Sequence, residues 1–159
     1  MKKIILLVVL FIVSTTTTYA QFEKGKWYIN GSFTGINISH NGFIEDNFGL
    51  GLSVGNFLED NFALIVNSEI AHYEKSLGAQ VRYYLPNTGA FGGIGMEYKT
   101  IDYFDGGDKH ITCFTPEIGY AFFLNKTVTI EPVIYYNYSL TKPSDYSKFG
   151  VKVGLGFYF

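Results

Sequence analysis

The closing stretch Lys152-Val-Gly-Leu-Gly-Phe-Tyr-Phe159 alternates without a break: Val153, Leu155, Phe157 and Phe159 fall on one face of an extended chain, and Lys152, Gly154, Gly156 and Tyr158 on the other. Successive side chains of a strand point to opposite sides. A strand apolar on one face and small or polar on the other belongs between an apolar phase and a polar one. If such strands recur along the chain, a closed sheet is required, because hydrocarbon cannot satisfy the hydrogen-bonding groups of an open strand edge.

They do recur. Alternating runs cover residues 26–39, 48–57, 62–73, 76–85, 90–101, 110–124, 128–140 and 148–159. In the second run Phe48, Leu50, Leu52 and Val54 stand over Gly49, Gly51, Ser53 and Gly55, and in the fourth Leu77, Ala79, Val81 and Tyr83 stand over Gly78, Gln80, Arg82 and Tyr84. No stretch past residue 20 has helical period, so eight strands and no helix are predicted. The first run changes phase near Gly35, where a bulge fits. Pro116 and Pro132 lie inside the sixth and seventh runs, where each removes a ladder donor and predicts a local bulge. The aromatics Trp27, Phe91, Tyr98, Phe122, Tyr136, Tyr138 and Phe157 read as girdles at the two membrane interfaces.

The links at 59–61, 86–89 and 125–127 are short, whereas those near 40–47, 102–109 and 141–147 are longer and polar; only the link near Glu74-Lys75 breaks the trend. In barrels of this kind short turns face the periplasm and longer loops face outward. Both termini are therefore expected on the periplasmic side.

The amino-terminal end agrees. Lys2 and Lys3 precede an apolar run from Ile4 to Val13, and a small and polar stretch closes on Ala20. That is the pattern of a cleavable secretory signal peptide over residues 1–20, too short to remain as a spanning helix. Residue 21 is Gln, which excludes the cysteine of a lipid-anchored lipoprotein. Losing Lys2 and Lys3 takes the 12 basic residues to ten against 14 acidic ones, and this mild acidity gives no footprint for nucleic acid. Residues 21–159 read as one domain. Aromatics at 18% and 18 glycines suit many packed strands. Cys113 is the sole cysteine, so no intrachain disulfide forms, and it reads as a buried thiol.

The last strand resembles the carboxy-terminal assembly signal of bacterial outer-membrane β-barrel proteins, with Lys152, Gly154, Phe157 and Phe159 on its four specified positions. With the eight alternating runs, the chain resembles the small eight-stranded outer-membrane barrels of OmpX and OmpA transmembrane-domain type. That resemblance implies an all-β, eight-stranded antiparallel transmembrane barrel. It also implies insertion from the periplasm with the help of periplasmic chaperones and the outer-membrane assembly machinery, contact with outer-membrane lipid and lipopolysaccharide, and a monomeric state.

The inward faces carry Glu69, Glu97, Glu117 and Glu131 with Arg82, Lys99 and Lys152. Eight strands enclose an interior just wide enough for side chains, so these charges read as an ion-pair network that fills the lumen. Strand adjacency suggests Arg82 between Glu69 and Glu97, Lys99 beside Glu117, and Lys152 beside Glu131. Paired carboxylates also serve glycosidases, but those need a cleft between the acids that a filled lumen lacks.

His72 and His110, at outward-facing strand ends with Ser68 or Thr112 near them, are the candidates for lipid chemistry, yet no orienting third group accompanies them. They read as interfacial histidines. The segment Asp102-Tyr-Phe-Asp-Gly-Gly-Asp108 offers oxygen ligands in a spacing that departs from calcium-loop motifs, and reads as a solvated loop. The clusters around Gly49 and Gly92 lack a following helix to hold an anion and read as close strand packing.

No catalytic residue, cofactor or metal is assigned. The function expected is an integral outer-membrane barrel with a filled polar lumen and a structural or surface-interaction role in the cell envelope. The alternatives are a conduit for small or apolar solutes across the outer membrane and an enzyme acting on outer-leaflet lipid.

Overall fold

A computed structural model describes residues 22–39, 44–45, 48–72, 74–102 and 107–159 of the chain. The signal peptide expected at 1–20 and the middle of the Asp102–Asp108 loop lie outside the described residues. All eight alternating runs form strands: β1 (Trp27–Ser39), β3 (Gly49–Glu59), β4 (Phe62–Ala71), β5 (Glu74–Tyr84), β6 (Ala90–Asp102), β7 (Asp108–Tyr120), β9 (Val128–Ser139) and β10 (Lys148–Tyr158). Two short pieces accompany them. β2 (Ile44–Glu45) pairs with the upper end of β1, and β8 (Phe122–Phe123) continues β7 beyond Ala121.

Each strand pairs antiparallel with its neighbours in the order β1, β3, β4, β5, β6, β7, β9, β10, and β10 then pairs with β1 from Tyr28 opposite Tyr158 to Ser39 opposite Lys148. The sheet is thus a closed eight-stranded barrel. Backbone bonds between Trp27 and Phe159 bring the described amino-terminal end and the carboxy terminus to one mouth. Among the described residues no helix is long and apolar enough to cross a membrane. One turn of helix, α1 (Pro143–Tyr146), does interrupt the last loop where none was expected. Pro143 starts it, since a fixed φ and a missing N–H cost nothing in a first turn.

The pleat sorts the side chains as the alternation requires. Phe48, Leu50, Leu52, Ile70, Leu77, Ile94, Ile118 and Phe157 are exposed on the outer wall, and an apolar surface this continuous has no place in water. The register of β1 against β10 shifts between Thr34 and Ile36, the bulge anticipated at Gly35. A second shift, between Phe57 and Glu59, lies near the end of β3.

The prolines behave differently from expectation. The β7–β9 pairing keeps one register from Cys113 opposite Ser139 to Gly119 opposite Val133 and on into Phe122 opposite Ile130. No residue is inserted, so there is no bulge. The ladder instead lapses at Thr115-Pro116 and again at Tyr120-Ala121, which faces Pro132. Each proline keeps a regular partner on its other side, Pro116 with Ile94 and Pro132 with Val153. Both missing donors therefore fall on the single seam between β7 and β9.

Candidate functional site

The described side chains fill the barrel in three layers. The first, at the mouth shared by the chain ends, is aromatic. Phe22 precedes the first strand and turns into the lumen, where its ring stacks on Tyr84 at 4.0 Å and meets Tyr158 at 5.5 Å and Phe123 at 5.6 Å. Backbone bonds hold it there: Asn61 N–H donates to the Phe22 carbonyl (2.6 Å) and Gly25 N–H to the Phe57 carbonyl (2.7 Å). Gly25 adopts φ +86°, a conformation that a residue with a Cβ resists, and Asn61 sits at φ 63° in the turn that receives the strap. Phe57, Ala63, Ile65, Phe91 and Val133 complete the layer.

The second layer crosses the lumen. Arg82 on β5 donates through Nε (2.9 Å) and Nη2 (2.7 Å) to Oε1 of Glu117 on β7, and through Nη1 to Oε2 of Glu131 on β9 (3.2 Å) and to the hydroxyls of Tyr28 (3.0 Å) and Tyr84 (3.1 Å). Its guanidinium lies over the Phe91 ring, 4.1 Å from the centroid. Register makes this reach possible. Arg82 is opposite Gly93, and Gly93 is opposite Glu117, so the residue between the two charges has no side chain.

Glu117 also takes an ion pair from Lys152 (3.1 Å) and a bond from Gln80 (3.2 Å). Glu131 accepts from Tyr28 (2.6 Å), Tyr158 (2.6 Å), Thr129 (2.7 Å) and Asn30 (3.3 Å) in addition to Arg82. Tyr28 and Asn30 belong to the first strand and Tyr158 to the last. One carboxylate therefore clasps the two strands that close the barrel to the wall opposite. A buried charge is tolerable only when paired and hydrogen-bonded, and Glu131 is both.

The third layer lies toward the loops. Lys99 pairs with Glu74 (2.7 Å) and Glu97 (3.5 Å), Lys148 approaches Glu74 (3.8 Å), and Asn67 donates to Glu97 (3.2 Å). Tyr135 donates to Asn37 (2.9 Å). Glu69 faces inward beside Gly49, where an added Cβ would lie 2.7 Å from its Oε1.

All seven charged residues singled out in the sequence face the lumen, but their partners differ from those that strand adjacency suggested. Arg82 is level with Ala63 on β4, whereas Glu69 is opposite Ser76, six residues away and about 20 Å along the strand. Glu97 is opposite Gly78, four residues from Arg82. Lys99 is level with Ile111, well above Glu117, and so turns to Glu74. Lys152 is opposite Val133 and crosses to Glu117 rather than Glu131. Of the terminal-signal positions, Gly154 and Lys152 point inward while Phe157 and Phe159 are exposed.

Phe91, expected in a girdle, is buried inside. It shares the parity of Gly93, Gly95 and Glu97, and that parity was the signal that would have placed it. The same signal marks Tyr28, Tyr84 and Tyr158 as inward. No signal marks Phe22, which belongs to no strand.

Outside the lumen, His110 Nδ1 is 3.1 Å from Thr100 Oγ1, and its ring stacks on Tyr98. Thr112 is opposite Tyr98, and Ser68 is opposite Leu77. Cys113 is buried on the inward face of β7, opposite Glu97. Among the described residues no cluster of three His, Cys, Asp or Glu could hold a metal ion.

No protein-family model matches the chain, and no curated protein sequence matches it. Solved structures do. The N-terminal β-barrel domain of Pseudomonas aeruginosa OprF superposes with a TM-score of 0.71 at 16% identity, covering 86% of this chain and 98% of that one. The outer-membrane protein OprG from Pseudomonas aeruginosa gives 0.63 at 16% identity, with 87% and 98% covered. Neisserial surface protein A gives 0.61 at 15% identity, with 86% and 98% covered. The chain has the fold of the small eight-stranded outer-membrane β-barrels, of the OmpX and OmpA type.

Proposed function

We propose that the chain is an integral protein of the bacterial outer membrane, with both ends on the periplasmic side. In this reading the closed, filled barrel serves the envelope structurally and presents its loops outward as an interaction surface. It neither conducts solutes nor catalyses a reaction. The observation that carries this reading is the contrast between an apolar outer wall and a lumen crossed by the Arg82–Glu117–Glu131 clasp behind the Phe22 plug. Arg82, Glu117 and Glu131 spend their charge on one another and on Lys152, which leaves little capacity to turn toward a passing solute.

The matched barrels support the membrane assignment, since they include an outer-membrane protein and a surface protein by name. In this reading Lys152, Gly154, Phe157 and Phe159 engage the assembly machinery while periplasmic chaperones hold the unfolded chain. The inserted barrel is a monomer among phospholipid and lipopolysaccharide.

Planar-bilayer recording of the purified barrel tests the sealed lumen. No reproducible single-channel steps are expected, and regular steps would replace the structural role with a conduit. Incubation with lipopolysaccharide followed by mass spectrometry of its acyl chains is expected to show no change. Recovery of the processed chain as a water-soluble periplasmic protein would overturn the membrane assignment.

A further inference from the structure

Of the carboxylates in the second and third layers, Glu69 is the one that no ion pair reaches among the described residues. Arg82 is spent on Glu117 and Glu131, Lys152 on Glu117, Lys99 on Glu74 and Glu97, and Lys148 on Glu74. Lys99 shares a row with Glu69, two strands away across Ser76, and Lys152 is opposite Thr34. The fields of both lysines reach the Glu69 carboxylate, but their ammonium groups are turned to other acids. Lys109, at the rim of β7, is turned to the Tyr146 ring. A charge taken out of bulk water is costly unless it is paired and hydrogen-bonded.

Register surrounds Glu69 with glycines and hydroxyl side chains. It is opposite Gly51 on β3, and Gly51 is opposite Ser32 on β1. In the next inward row Gly49 is opposite Thr34. The Glu69 carboxylate lies over Gly49, where a Cβ would stand 2.7 Å from Oε1, and Ser32 Oγ leans over Gly51 in the same way. Two glycines on β3 thus let a carboxylate from β4 and hydroxyls from β1 converge above the strand between them. Thr34 is wholly buried, yet its Oγ1 faces the carboxylate without a completed hydrogen bond, so its lone pairs are unspent. Buried polar atoms are otherwise satisfied by protein, water or an ion.

Oxygen ligands suit a hard cation, and the number of carboxylates among them sets the charge that can be held. Here there is one carboxylate, with two lysines nearby, which suits a singly charged ion and not a divalent one. We propose that Glu69, Thr34 and Ser32 bind one monovalent alkali cation. Glu69 Oε1 supplies the counter-charge, and the two hydroxyl oxygens complete the coordination together with water. The clasp and the Phe22 plug close the lumen below, so the ion enters and leaves by the loop mouth and crosses nothing.

The test follows urea unfolding of the full processed barrel in phosphatidylcholine vesicles by Trp27 fluorescence, with choline chloride replaced by NaCl or by KCl at constant ionic strength. Choline is too large to sit between the carboxylate and the hydroxyls. The folded-to-unfolded ratio should rise saturably with the alkali ion, by about tenfold when its concentration is roughly nine times its dissociation constant. Thr34→Val keeps the shape and removes the oxygen, and should weaken the ion about fivefold, on the order of one polar contact. Glu69→Gln should abolish the dependence, and Glu23→Gln at the opposite mouth should leave it unchanged. Equal stability of the wild type in all three salts overturns the site, as does a response that survives Glu69→Gln. Heat-modifiable gel migration reports folding of each variant. If Glu69→Gln does not fold, Thr34→Val decides alone, and an undiminished ion affinity there overturns the site. Stability that follows pH but not alkali concentration would make a proton the occupant and overturns the cation equally.

Discussion

Replacing Arg82 with Met removes the charge that spans the lumen while keeping most of its volume. The guanidinium gives two bonds to Glu117 and one to Glu131. Glu131 keeps four other donors, so the loss falls mainly on Glu117, which retains Lys152 and Gln80. Taking one partner from a buried ion pair costs about 3–5 kcal/mol, largely because the opposite charge is left behind. Arg82→Met should therefore destabilise the folded barrel by about 3–5 kcal/mol.

Glu117→Gln should cost a comparable amount, and the double variant about 2 kcal/mol less than the sum, because the stranded charge is then gone. The assay is urea unfolding of the barrel in phosphatidylcholine vesicles. Trp27, the one tryptophan, is 51% exposed on the outer wall and reports the loss of its lipid surroundings by fluorescence. A cost below about 1 kcal/mol for Arg82→Met, or strict additivity of the two substitutions, would refute the clasp.

Phe22→Ala empties the aromatic layer and should cost about 3 kcal/mol in the same unfolding assay, as large-to-small changes in cores do. Gly156→Ala would set a Cβ 2.4 Å from both Glu131 Oε1 and Thr129 Oγ1, so a loss of at least about 3 kcal/mol is expected. Gly31→Ala, which meets nothing within 4 Å, should instead be neutral or stabilise by about 0.5 kcal/mol. Amide exchange followed by NMR should find the backbone around Tyr136, which faces Pro116, less protected than the unbroken β6–β7 ladder. Equal protection would contradict the lapse at Pro116.

The strands were legible because lipid and lumen impose opposite demands on alternate residues, and that contrast is written locally in runs such as Leu50-Gly51-Leu52-Ser53. The charges were legible as inward for the same reason. Their pairing was not, because the height of Arg82 relative to Glu117 or Glu69 depends on the stagger between strands. Turn lengths and the tilt of the closed barrel set that stagger, and neither is encoded in the hydropathy of one strand. Phe91 was misplaced although its parity was plain, because an aromatic near a strand end suits a girdle equally well. The Phe22 plug had no periodic signal at all, since a strap is defined by the cavity it enters. The prolines are faults in the ladder, as their missing donors require, but the unbroken register makes them gaps and not the bulges that the sequence suggests.

Because Glu131 draws donors from the first stave and from the last, its carboxylate is solvated by protein only after the two extremities of the polypeptide have met. A half-wound intermediate would strand that anion in the bilayer with its tyrosines elsewhere. Such a molecule has reason to complete the ring in one concerted event, with no sheet of six or seven staves accumulating on the way.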